Sequence, residues 1–114
     1  VALPGSITTV TVTGTYVDAQ GVPVTGEVTF AISEPLRDAN DKIVLAPTPI
    51  RAVLDGNGHF STVLPVTDDT TLAPTGWTYT VTERIDRWQS NTWRFHLLTS
   101  QGPTVDLSQI TPLV

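Results

Sequence analysis

Between Val10 and Phe30 the chain reads V-T-V-T-G-T-Y-V-D-A-Q-G-V-P-V-T-G-E-V-T-F. Successive side chains of an extended strand point to opposite sides, so this alternation describes strands with one buried and one wet face. A buried face needs a second layer to cover it. Val10, Val12 and Tyr16 share the inward side of a first strand over Ile7 to Val17, with Gly14 leaving room for a neighbour. Thr9, Thr11, Thr13 and Thr15 line the other side. Asp18-Ala19-Gln20-Gly21 has the Asp-first, Gly-last order of a type I turn.

The same rhythm continues along the chain. Glu27 to Ser33 turns Val28, Phe30 and Ile32 inward. Glu34 to Asp41 loses periodicity and reads as a loop. Lys42 to Asp55 reads as a strand interrupted by Pro47-Thr48-Pro49, which places it at a sheet edge or a bulge because proline cannot donate to a ladder. Gly56-Asn57-Gly58 predicts a tight hairpin pairing Leu54 with Phe60, Ala52 with Thr62 and Ile50 with Leu64. Pro65 to Gly76 is a long crossing connection. Trp77 to Asp86 then puts Trp77, Tyr79, Val81 and Ile85 on one side, and Thr92 to Thr99 returns with Trp93, Phe95 and Leu97 inward. Matching these faces pairs Val81 with Leu97, Ile85 with Trp93 and Arg84 with Arg94. A short last strand lies around Val105 and Leu107. The expectation is a single all-β, antiparallel sandwich of about seven strands, immunoglobulin-like or prealbumin-like. Residues 1–6 form a loose leader, 7–110 the sandwich and 111–114 a tail.

At 114 residues the chain is long enough for a continuous core. It has no cysteine, which removes disulfides and thiolate chemistry. A net charge of −5 argues against nucleic acid as a partner, since phosphate binding needs a basic face. No apolar run is long enough to insert in a bilayer as a helix.

The order Asp18, Gly21, Pro23, Val24, Gly26, followed by Asp55-Gly56-Asn57-Gly58-His59-Phe60 and Trp77-Thr78-Tyr79-Thr80-Val81, resembles carboxypeptidase regulatory-like and collagen-adhesin B-type domains. These share a prealbumin-like sandwich. A narrower resemblance, through Leu54 to Phe60, Leu64 to Asp69, Pro74 to Glu83 and Val105 to Ser108, is to sandwich modules in minor tail and fibre proteins of actinobacterial phages. That resemblance implies a non-enzymatic virion structural module acting in assembly or host attachment. Its partners would be other virion proteins or copies of itself, with a host surface glycan as a further one, and its place the tail or capsid surface. Two alternatives stand beside it: a capsid decoration or head-fibre domain, and a carbohydrate-binding adhesin module on a bacterial cell surface. The intramolecular isopeptide bond of the adhesin domains needs a first-strand lysine, whereas the only lysine here is Lys42.

Catalytic signals are absent from the sequence. No G-x-S-x-G elbow or H-E-x-x-H pair occurs, and His59 and His96 are isolated. The chain therefore reads as no enzyme, without cofactor or metal. Alternation turns Glu83 inward beside Phe95, where a buried carboxylate must find donors or stay neutral; the expectation is a place at the sandwich end, with its head in water or on backbone N–H groups. Trp88 falls in the hairpin tip Arg87-Trp88-Gln89-Ser90, either folded back or exposed. With Arg84, Arg87 and Arg94 it forms the candidate partner or ligand surface, because Trp and Arg dominate interface hot spots.

Overall fold

The computed structural model describes residues 7–86 and 88–113, so the expected leader, Arg87 and Val114 lie outside it. Among the described residues nine short strands run in chain order: β1 (Thr9–Thr15), β2 (Gly26–Ile32), β3 (Leu36–Asp38), β4 (Ile43–Leu45), β5 (Ile50–Val53), β6 (His59–Pro65), β7 (Tyr79–Ile85), β8 (Asn91–Phe95) and β9 (Thr104–Asp106). One sheet has the order β6-β1-β9, a second β5-β2-β7-β8, and β3 and β4 form a separate hairpin. The fold is all-β, as the alternation requires. β1 pairs antiparallel with β6 and parallel with β9, whereas pairing in the four-stranded sheet is antiparallel throughout.

The inward rows meet as expected. Val10 and Val12 of β1 and Val28 and Phe30 of β2 are fully or almost fully buried, as are Tyr79 and Val81 of β7 and Phe95 of β8. Phe30 and Phe60 approach across the two layers with ring centroids 5.9 Å apart. Phe30 meets Phe95 edge-on at 6.2 Å, and Phe95 stacks on Tyr79 at 5.4 Å. The Tyr79 hydroxyl crosses between the sheets and donates to the Pro65 carbonyl at 2.6 Å, which satisfies the one polar atom of an otherwise apolar side chain.

Four local readings are corrected. The Gly56–Gly58 turn forms, with Asp55 N–H donating to the His59 carbonyl at 2.9 Å, but the predicted Leu54–Phe60 ladder does not. Ala52 pairs with Val28 and Leu64 with Val10, so the two strands leave the turn into different sheets. Alternation alone cannot separate these outcomes, because strands facing each other across a core bury the same residues as strands side by side. β7 and β8 pair Val81 with Trp93 and Thr80 with Arg94, four residues from the predicted register. An even shift keeps every side chain on its face. The predicted loop from Glu34 contains β3. Its turn is held by Asp38 Oδ1, which accepts from the N–H groups of Asn40 and Asp41, and by Lys42 at φ 57°. The expected single strand from Lys42 to Asp55 is two: the Pro47–Pro49 interruption separates β4, paired with β3, from β5, an edge strand of the four-stranded sheet.

Gly14 is required by packing. A Cβ there would stand 2.4 Å from Phe60 Cε1, inside a buried ring with nowhere to move. Gly14→Ala should therefore cost about 1–3 kcal/mol in urea unfolding. Gly56→Ala, with nothing within 4 Å, should be neutral or slightly stabilising.

Two turn carboxylates make stability depend on acid. The N–H groups of His59 and Asn57 hold Asp55 below the usual carboxylate range. Burial disfavours the charge of Asp69, but the Thr8 N–H and the Thr71 hydroxyl and N–H outweigh it and leave its pKa lowered. A carboxyl lowered in the folded state stabilises above its unfolded pKa, and that contribution is lost as pH falls through the folded one. The urea midpoint should be flat near neutrality, decline below about pH 4, and decline less steeply in Asp69→Asn.

Candidate functional site

The most organised polar cluster is built around Glu83, the one carboxylate in the inward row of β7. Its Oε2 accepts from the Tyr16 hydroxyl, and its Oε1 accepts from Asn91 Nδ2 and Trp93 Nε1, each at 2.9 Å. Tyr16 follows β1 in the three-stranded sheet, while Glu83, Asn91 and Trp93 belong to the four-stranded one. A single carboxylate thus fastens the two layers at one end of the sandwich. Burial first, then the hydrogen bond and charge of Glu83, push the Tyr16 phenol well above its ordinary pKa, so it remains a neutral donor. The sequence expectation that Glu83 lies beside Phe95 is corrected by the register: Asn91 is opposite it. Its donors are also corrected: they are the side chains of Tyr16, Asn91 and Trp93, not water or backbone N–H groups.

Beside this cluster opens a cleft of about 350 Å³, whose walls include Tyr16, Glu83, Trp93, Asp106, Ser108 and Ile110. Asp106 ends β9 and caps the short 3-10 turn Leu107–Gln109. It accepts from Ser108 Oγ at 2.7 Å and from Ser108 N–H at 3.0 Å, with Thr13 Oγ1 more distant at 3.5 Å. The Ser108 hydroxyl is the main reason its carboxyl stays below the usual range, joined by the Ser108 N–H, Thr13 and the charge of His59. Trp93 is half-buried, its indole held on one side against Phe95 at 5.4 Å.

Of the residues expected to form one contact surface, Arg87 lies outside the described residues, and Trp88, Arg84 and Arg94 are placed as follows. Trp88 is 48% exposed, yet its ring also meets Tyr16 edge-on at 6.5 Å, so it is partly folded back and partly presented. Around it lie Val22 and Pro23 with Asp18 and Asp86, lining a shallow groove. Arg84 lies on the outer face of β7 opposite Glu27, which is ion-paired with Arg51. Arg94 is exposed on β8 opposite Thr80, four register positions along from Arg84, or about 13 Å at strand spacing. The cleft residues Tyr16, Asp106 and Ser108 were missed by the sequence reading. The available signal was Glu83, the charged exception in an apolar row.

Among the described residues no three His, Asp or Glu side chains stand close enough to hold a metal ion. Comparison with family models, curated proteins and solved structures found no significant match for this chain.

Glu83→Ala leaves the Tyr16 hydroxyl and the Trp93 N–H without their acceptor, and should cost about 1–3 kcal/mol in urea unfolding. Glu83→Gln, which keeps one carbonyl acceptor, should cost less.

Proposed function

We propose that this chain is a non-enzymatic structural module, a β-sandwich of the phage minor tail or fibre type, acting through its surfaces in assembly or attachment. The observation that carries this reading is the exposed apolar group at one end of a rigid body. Val22 and Trp88 are about half exposed on either side of one groove, with Val17 beside them, joined to Pro23 by a β-bridge. Exposed aromatic and branched side chains gathered together mark contact surfaces more often than scattered ones do. Edge strands add a second means of contact, since β5 is paired only with β2 and β6 only with β1 among the described residues. Glu83 supports the non-enzymatic part: its three donors occupy the carboxylate that a general base would need free. The virion setting is supported by the resemblance carried by Leu54 to Phe60, Leu64 to Asp69 and Pro74 to Glu83.

Size-exclusion chromatography with light scattering tests the contact role. Self-association should rise with concentration and should fall in Trp88→Ala combined with Val22→Ser, with the circular dichroism spectrum unchanged. A strictly monomeric species at high concentration would count against self-assembly.

A further inference from the structure

We infer that the cleft between Trp93, Tyr16, Asp106 and Ser108 is a binding site for a single neutral sugar ring of a glycan. A pyranose is amphipathic: its C–H face packs on aromatic and aliphatic carbon, while its hydroxyls donate to fixed acceptors. The cleft offers both. Trp93 and Tyr16 supply ring surface, Ile110 adds aliphatic carbon, and Asp106 and Ser108 place a carboxylate and a hydroxyl beside them. Its volume of about 350 Å³ is near the small end of ligand pockets, about 300–1,000 Å³, and suits one ring rather than an extended chain.

The walls are already positioned. Glu83 holds the Trp93 indole through Nε1 and the Tyr16 ring through its hydroxyl, and Ser108 holds Asp106 through two bonds. A ligand would therefore meet side chains whose rotamer entropy has already been lost, which favours binding in a shallow site. Charge narrows the class further. Glu83 and Asp106 are the two ionisable carboxyls of the wall and no Lys or Arg lines it, so sialylated and uronic sugars are repelled. Both Glu83 oxygens are engaged by internal donors, whereas Asp106 Oδ2 carries only the long Thr13 contact and is the principal acceptor left to a ligand. That suits a hydroxyl better than a cationic peptide, which gains most from several free carboxylates.

This inference rests on the attachment half of the proposed function but uses a different opening from the Trp88 groove, with Tyr16 packed between the two. Failure of the sugar test therefore leaves the association test standing, and the reverse also holds. A glycan array, followed by NMR titration of the Trp93 indole N–H with methyl hexosides and with N-acetylhexosamines, reads the site directly. Neutral glycans should bind and shift that resonance, and sialylated ones should not. Asp106→Asn, which keeps the turn-capping acceptor, and Trp93→Phe, which keeps an aromatic ring in the core, should each weaken binding by about tenfold or more. Val53→Ser, an exposed position on the edge strand β5 outside the cleft lining, should leave binding unchanged. The inference is overturned if no neutral sugar moves the Trp93 signal at millimolar concentration, or if only an oligolysine control does. It is equally overturned if binding survives both cleft variants while near-ultraviolet circular dichroism shows them folded, or if Val53→Ser alone abolishes it.

Discussion

The contact of Phe30 with Phe60 across the two layers, 5.9 Å between centroids, is the interaction on which the remaining structure depends. Each ring ends a chain of aromatic neighbours within its own sheet or beside it. Phe60 leads to Tyr16, and Phe30 leads through Phe95 to Tyr79 and Trp77. Burying a phenylalanine contributes about 1.5–3 kcal/mol, and aromatic pairs add a fraction more through edge and face geometry. A chain with neither disulfide nor structural metal ligand cluster among its described residues relies on that burial. Gly14 is part of the same constraint, because only the absence of a Cβ lets Phe60 lie flat against β1.

Polar bonds then fix how the layers close. Tyr79 reaches Pro65 through the core, Thr67 exchanges bonds with the backbone of Leu97, and Asp69 holds the N–H of Thr8. The crossing connection after β6 is thereby tied to both sheets, and its own Val66 and Leu72 are buried in the core. At the opposite end Glu83 performs the corresponding task, and the same bonds that close the sandwich give the cleft its rigid walls. Structural closure and a ligand-ready surface are here two consequences of one carboxylate.

Much of the fold was legible because period-two patterning is a local property. The inward rows of β1, β2 and β7 follow from it directly, and the prolines at 47 and 49 marked an interruption, though not that it divides two sheets. The short β3 was not legible: three residues carry too little periodicity to stand out from a charged loop. Nor was the β5–β6 connection, because Ala52, Leu54, Phe60 and Leu64 are buried alike in a hairpin and in a turn between sheets. Among site residues, Glu83 was conspicuous as a charge in an apolar row and Trp88 as an aromatic in a turn. Asp106 and Ser108 gave no signal, since their place beside Trp93 depends on a parallel pairing of β9 with β1 across more than ninety residues.

The sequence by itself determined which side chains face inward, where the chain turns, and that no disulfide supports it. These follow from alternation, from turn chemistry at Asp18–Gly21 and Asp55–Gly58, and from composition. Only the tertiary structure decided which strands are neighbours, the β7–β8 register, and the meeting of Tyr16, Glu83, Trp93 and Asp106. The physical reason is that an even shift or a change of partner leaves every residue on the same face. Hydrophobic burial cannot distinguish such arrangements; side-chain shape and hydrogen bonds formed between distant strands do.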